Sequence, residues 1–203
     1  MDWEHRRDGV DWVMTGTFER DDKNAPAVEV FDREPMRPVF HIEGPPYEGD
    51  GARTALWTFA IGGGHYIFHG DERQGLVTRG IMGYDPHVVG GDKNPTMRAW
   101  IGHASRFFNR HIADLDRMAP HNELIASGQA YCFADPGREW AVYSMGGDEF
   151  ELDLTAATGR CKARFYDPRT RELGRPFRCE AGGAVRFVKP DGRDWALLIE
   201  ARR

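Results

Sequence analysis

The hydrophobic pattern of the sequence changes near residue 120, and this change constrains the fold more than any other feature. Before it, short apolar runs that are typical of strands alternate with segments of helical periodicity. After Gln129, apolar and polar residues alternate in short segments that end in turns such as Asp135-Pro136-Gly137 and Pro190-Asp191-Gly192. The pattern therefore predicts strand–helix units followed by an antiparallel β-sandwich.

The first region contains three strand–helix units. The predicted elements, in chain order, are a strand in 9–18, a helix in 25–33, a strand in 39–42, a helix in 52–61, a strand in 65–70 and a helix from Asn94 to Met118. Three units cannot close an eight-stranded barrel, which typically takes roughly 250 residues. We therefore predict that residues 1–122 are the last units of a (β/α)8 (TIM) barrel whose earlier units are absent from this chain.

The second region, residues 129–203, is predicted to form the sandwich, with the boundary between the two regions at 123–128. Its predicted strands are 130–134, 139–145, 149–154, 161–166, 184–189 and 195–200. The apolar residues expected in its core include Val142, Leu152, Leu154, Phe165, Phe187 and Leu197. The fold class is thus an α+β chain in two parts.

Composition excludes several classes of partner and site. The chain of 203 residues has a net charge of −5, whereas nucleic-acid surfaces are usually basic. No apolar stretch approaches the ~20 residues of a transmembrane helix, and the N-terminus lacks the pattern of a signal peptide. The cysteines Cys132, Cys161 and Cys179 form no Cys-x-x-Cys pair, so we expect buried thiols rather than a zinc site or a disulfide framework.

The segment from Arg37 to Glu48 carries the most chemistry. Its apolar run stops at Gly44-Pro45-Pro46, as a buried strand does where it leaves a sheet. Glu43 then lies at the tip of that strand, where parallel α/β folds hold their active sites. A structural alternative is that Glu43 pairs with Arg53 or caps a helix.

The residues around Glu43 offer further polar and aromatic groups. Glu48 either binds a ligand, orients Arg53, or is simply solvated in the loop. Tyr47 either contacts a ligand or is buried. His41 shares a strand face with Glu43, and Tyr66 and His69 belong to the next predicted strand.

Metal and cofactor sites are not predicted. The histidines near Glu43 lack the His-x-x-x-His spacing that places two ligands on one helix face. We therefore expect neither a cofactor nor a metal ion at these residues.

Several segments together resemble a known family. Arg37-Pro-Val-Phe-His-Ile-Glu-Gly-Pro-Pro-Tyr-Glu-Gly49, with Arg53, Trp57 and Gly62-Gly-Gly-His-Tyr66, resembles the end of the barrel in apiosidase-like glycoside hydrolases. In that family a (β/α)8 domain precedes a small β-sandwich named for collagen binding in a collagenase-like protein. The segments that resemble this sandwich are Trp140-Ala-Val-Tyr143, Phe150-Glu-Leu-Asp-Leu154, Arg164-Phe-Tyr-Asp-Pro168-Arg-Thr and Asp194-Trp195-Ala-Leu-Leu198.

The resemblance implies a glycoside hydrolase that acts on side chains of plant or other polysaccharides. Glu43 occupies the position of the nucleophile of a retaining enzyme, and the acid/base residue belongs to an earlier strand that this chain lacks. The implied substrate contacts are Glu48, Tyr47, His69, Tyr66 and His41. We therefore expect a carbohydrate substrate, relatives that are secreted or periplasmic, and little activity in this chain alone.

Two other functions remain open at the level of the sequence. The sandwich is either a binding module for a polysaccharide or a collagen-like matrix, or a structural brace for the last helix of the barrel. No sequence feature indicates collagen binding, and none indicates the oligomeric state.

Overall fold

Three sheets organise the chain in the computed structural model, which describes residues 13–15, 22–33, 39–41, 49–66 and 95–201. The first sheet is parallel and lies with the helices in the first part of the chain. The other two sheets are antiparallel and contain most of the described residues after Met118. The prediction of an antiparallel, two-sheet second region is therefore confirmed.

The parallel sheet contains β1 (Val13–Thr15), β2 (Val39–His41) and β3 (Gly64–Tyr66), in that spatial order. Helix α1 (Asn24–Arg33) comes between β1 and β2, and helix α2 (Gly49–Ile61) comes between β2 and β3. Strand and helix thus alternate as the periodicity indicated. The three described strands do not close a barrel, so the barrel remains a prediction.

Helix α2 is buried on nearly all sides. Its first turn carries Asp50, whose charge favours a helix N-terminus, and it ends before Gly63, which adopts a φ of 86°. Phe59 packs against Ala27 and Val30 of α1. The opposite side of α2 packs against the second part of the chain, as a helix that is apolar all round requires.

The next helix is shorter than the sequence pattern predicted. Helix α3 spans Pro95–Arg106 and continues as a π-helical turn, Phe107–His111, before Ile112 becomes extended. The prediction of one helix to Met118 is therefore wrong. After His111 the chain forms a short 3₁₀ turn, Leu115–Arg117, and its apolar residues still pack into the same core. Their spacing in the sequence therefore resembled that of a continued α-helix.

Nine strands build the antiparallel sheets. They are β4 (Ala119–Pro120), β5 (Ile125–Ser127), β6 (Ala130–Asp135), β7 (Glu139–Ser144), β8 (Glu149–Asp153), β9 (Arg160–Tyr166), β10 (Phe177–Glu180), β11 (Ala184–Val188) and β12 (Trp195–Ala201), with a 3₁₀ turn at Asn122–Leu124. One sheet has the order β10-β9-β12-β7-β6-β4 and the other the order β11-β8-β5. The sequence pattern did not predict β10. Strands β4 and β5 come before residue 129, where the sandwich was predicted to start.

The two antiparallel sheets enclose a sandwich core. Five of the six residues expected there are buried: Val142, Leu152, Leu154, Phe187 and Leu197. Phe165 is only partly buried and packs against the edge of this core. The alternation of apolar and polar residues therefore identified the inner face of the sandwich correctly.

The six-stranded sheet buries its other face as well. Ala141 and Tyr143 of β7, with Ala196 and Leu198 of β12, face away from the sandwich core and join an interface cluster with residues of α2 and α3. Every residue of β7 is buried. The second part of the chain is thus a middle layer and an outer layer, with the helices as the third layer.

Trp57 of α2 is the largest fully buried side chain in the interface cluster between the helices and the sheet. Its ring stacks on Tyr143 at 5.5 Å between centroids and 15° between planes. It also meets Phe107 edge-on at 5.3 Å. Aromatic pairs of this kind contribute about 0.5–1.5 kcal/mol beyond the area that they bury.

A buried ion pair fixes the same interface. The Nε and Nη2 atoms of Arg53 each donate to Asp194 at 2.8 Å, and the two side chains are 4% and 5% exposed. Nη1 donates to Asp50 at 2.8 Å, and Tyr143 donates its hydroxyl to Asp194 at 3.1 Å. The ring of Trp100 lies 4.7 Å from the Arg53 Cζ atom.

The surroundings of this pair stabilise its charges. Burial disfavours the charge of Arg53, but its hydrogen bonds with Asp194 and Asp50 raise its pKa above the ordinary value. Burial beside Asp194 raises the pKa of Tyr143 well above the ordinary value, so the hydroxyl stays a donor. The sequence offered a glutamate of the 43–48 segment as the partner of Arg53. Among the described residues, the partners of Arg53 are Asp194 and Asp50.

We predict that Arg53→Met lowers the free energy of unfolding by about 3–5 kcal/mol, because it leaves Asp194 buried without its partner. Arg160→Met is the matched control, since the Arg160–Glu180 pair is exposed and contributes at most about 1 kcal/mol. Denaturant unfolding of both variants measures the difference. Equal losses in the two variants would contradict the anchoring role of Arg53.

Candidate functional site

The parallel sheet aligns the ends of its three strands. Thr15 pairs with His41, and His41 pairs with Tyr66, and each is the last residue of its strand. The strands run in the same direction, so the chain leaves the sheet at one edge after each of them. Parallel α/β folds bind ligands beyond this edge.

Most of the predicted site residues lie outside the described part of the chain. Glu43 follows the end of β2 by two positions in the sequence, and Tyr47 and Glu48 precede the start of α2 at Gly49. His69 follows the end of β3 by three positions. Their roles as nucleophile and substrate contacts stay predictions.

Of the two remaining predicted contacts, His41 ends β2 at the shared edge, beside Tyr66. The Tyr66 side chain is half-buried, and its ring meets Phe59 of α2 edge-on at 6.4 Å. It also packs against the interface cluster. The structure therefore places Tyr66 in contact with the helix that follows the 43–48 segment.

A cavity of about 600 Å³ opens between the three helices and the six-stranded sheet. Its walls are chiefly apolar and include Phe31, Ile101, Phe108 and Phe133. Among the described residues that line it, Asp116 is the one carboxylate. Hydrolysis of a glycoside requires two carboxyl groups, so the described walls of this cavity do not supply that chemistry.

A second concavity of about 550 Å³ lies between β10 and β11, at the edges of the two antiparallel sheets. Phe177 and Val188, which are 37% and 63% exposed, line it together with charged residues such as Arg178 and Glu180. The ring of Phe177 stacks on Phe165 at 5.7 Å, which holds it in place. An exposed, positioned aromatic ring beside polar groups is a surface that suits a ligand.

The described residues contain neither a candidate metal site nor a candidate membrane-spanning helix. These residues contain no group of three or more His, Cys, Asp or Glu side chains that could hold a metal ion. None of the described helices is long and apolar enough to cross a membrane.

The site-related residues that sequence reasoning missed are on the sandwich. Asp194 and Tyr143 hold Arg53 and Trp57, yet they are 141 and 86 positions away from them in the sequence. The sequence contains one indication that these four residues are related: all of them belong to the segments that resemble one family.

The second part of the chain matches a known family. Residues 119–200 match the family described as "Putative collagen-binding domain of a collagenase". The match begins at β4 and ends within β12, so it spans both antiparallel sheets. Among curated proteins, no match was found.

Two solved structures are similar to nearly the whole chain. One is titled "Glycoside hydrolase" and matches with a TM-score of 0.71 and 14% identity over 95% of this chain and 53% of its own. The other is a glycoside hydrolase family 5 protein from Bacteroides vulgatus, with a TM-score of 0.73 and 14% identity over 98% of this chain and 52% of its own. The chain spans about half the length of these structures and shares the fold of that half.

Proposed function

We propose that this chain is the C-terminal part of an apiosidase-like glycoside hydrolase, with the last units of a (β/α)8 barrel before residue 119 and a β-sandwich from residue 119 onward. The observation that carries the proposal is the fold match, in which 98% of the chain aligns to about half of a glycoside hydrolase. That alignment includes both the parallel strand–helix units and the sandwich. The order and direction of β1, β2 and β3 support the same assignment.

In this proposal Glu43 is the nucleophile of a retaining mechanism. Its carboxylate attacks the anomeric carbon while an acid on a strand outside this chain protonates the leaving oxygen, and water then releases the sugar. The two carboxyl groups of such a pair lie about 5–5.5 Å apart. The residues that hold the sugar, a side chain of a plant or other polysaccharide, are Glu48, Tyr47, His69, Tyr66 and His41.

The sandwich acts in this enzyme as a brace. Helix α2 begins one residue after Glu48, so its position determines where the 43–48 segment ends. Arg53 and Trp57 of α2 bind the helix to Asp194 and Tyr143 of the sandwich. Since catalysis depends on the position of the reacting groups, the sandwich contributes to activity without touching the substrate.

A second candidate function is ligand binding by the sandwich itself. The concavity between β10 and β11, with Phe177 at its wall, supports a module that binds a polysaccharide through its aromatic ring. The family matched by residues 119–200 is described by collagen binding, so a collagen-like peptide is the alternative ligand.

The proposed nucleophile leads to a prediction about activity. The longer protein that contains the whole barrel hydrolyses aryl glycosides or plant pectic oligosaccharides, and Glu43→Gln in it lowers kcat by at least about 10³-fold. Glu29→Gln, at an exposed position of α1, is the matched control and leaves kcat unchanged. This chain alone shows little activity, because the general acid that it lacks contributes typically 10²–10⁴-fold. Activity of this chain that Glu43→Gln abolishes would contradict the proposal.

The second prediction separates a brace from an independent module. A fragment of residues 119–203 exposes the face of the middle layer that contains Tyr143 and Leu198, which the helices cover in the whole chain. We expect this fragment to bind more of a hydrophobic dye and to self-associate more strongly in sedimentation experiments than the whole chain, in which the helices cover that face. A monomeric fragment that unfolds cooperatively would favour the independent module.

The third prediction tests the concavity. If it binds a glycan, Phe177→Ala weakens binding on a glycan array at least about tenfold, which is the effect of losing roughly 1.4 kcal/mol. Glu29→Gln is again the control, since it lies outside the sandwich. Equal binding by both variants, to glycans and to a collagen-like peptide, would exclude this surface.

A further inference from the structure

Cys161 and Cys179 occupy directly opposite positions on neighbouring antiparallel strands. The register of β9 and β10 pairs Cys179 with Cys161, between the pairs Arg178–Lys162 and Glu180–Arg160. Opposite residues of an antiparallel pair have Cα atoms about 4.5–5.5 Å apart and side chains on the same face. Disulfides span Cα distances of about 4.4–6.8 Å. We propose that Cys161 and Cys179 form a disulfide that ties the edge strand β10 to the sheet.

The side chains agree with this assignment. Both thiols are free in the structure and are close enough for each to affect the pKa of the other. Cys161 is fully buried, whereas Cys179 is partly exposed and lines the concavity between β10 and β11. An oxidant can therefore reach Cys179 first, with Cys161 already in place to complete the bond.

The third cysteine does not compete for either partner. Cys132 lies on β6, which is separated from β9 by β12 and β7 in the sheet order. Three strand spacings place it about 14 Å from the strand that carries Cys161. This distance excludes a disulfide between Cys132 and Cys161. Of the three cysteines, only Cys161 and Cys179 are therefore close enough to pair, although their spacing in the sequence did not indicate it.

The disulfide would stabilise the weakest edge of the middle layer. Strand β10 is the outermost strand of its sheet and pairs only with β9 among the described strands. Three of its four residues are exposed, so little apolar burial holds it. A covalent link at its third residue compensates for that deficit and fixes the wall of the concavity.

The oxidation balances with a small-molecule disulfide, such as oxidised glutathione, as the oxidant. The Cys179 thiolate attacks one sulfur of the oxidant, forms a mixed disulfide and releases one thiolate. The Cys161 thiolate then attacks the Cys179 sulfur and releases the second thiolate. Two cysteine thiols lose two electrons to the oxidant, and their two protons end on the two thiols released from it.

Burial controls the rate of this reaction. Burial and the neighbouring Cys161 raise the pKa of Cys179 to about 11, and burial also raises the pKa of Cys161. Because the thiolate is the attacking species, we expect the bond to form slowly near pH 7 and faster as the pH rises.

The test is to incubate the whole chain with excess oxidised glutathione at alkaline pH. We expect the number of titratable thiols in the denatured protein to fall from three to one, with peptide mapping linking Cys161 to Cys179. Thermal unfolding without reductant should then shift upward by roughly 5–10 °C, and a reductant should reverse the shift.

Two variants control this experiment. Cys179→Ala, at a partly exposed position, should lose both the link and the shift, whereas Cys132→Ala should retain both. Three free thiols after exhaustive oxidation, a link through Cys132, a glutathione adduct without the link, or a linked protein with an unchanged melting temperature would each overturn the proposal.

Discussion

The buried pair of Arg53 and Asp194 determines how the two parts of the chain fit together. Removing two charges from water costs several kcal/mol for each ion, and only good geometry and further hydrogen bonds offset that cost. Here the guanidinium binds both carboxylate oxygens, and Tyr143 and Asp50 supply the additional contacts. A hydrophobic interface tolerates sliding, whereas this pair can form in one arrangement. It therefore specifies the docking that Trp57 and its aromatic neighbours stabilise.

This docking connects the sandwich to the proposed chemistry through one helix. Helix α2 packs on α1 through Phe59 and on the middle layer through Trp57, so it is held from both sides. The 43–48 segment lies between β2 and the start of α2 in the sequence. A sandwich that fixes α2 has a reason to accompany the proposed barrel whether or not it binds a ligand of its own. The brace and the binding module are therefore compatible functions on different surfaces of the same sheets.

Local patterns were sufficient to predict part of this structure. The run at Val39–His41 and most of the sandwich strands follow from periodicity, because each has a face of its own to bury. Strand β10 was missed because an exposed edge strand carries no apolar alternation. The end of α3 was misplaced because Leu115 and Met118 reach the core without belonging to that α-helix. The partnership of Arg53 with Asp194 spans 141 positions and depends on tertiary structure, which no spacing rule captures.

The position of β12 in its sheet affects how the protein is made. This strand comes last among the described strands, yet it lies between β9 and β7 in the middle of the six-stranded sheet. During synthesis, β9 and β7 emerge from the ribosome without the strand that joins them, while α2 and α3 are already available. The middle layer therefore closes only after residues 195–201 have left the exit tunnel. Translation that stops shortly before this point releases two half-sheets with unpaired inner edges, a form that invites aggregation and recognition by chaperones.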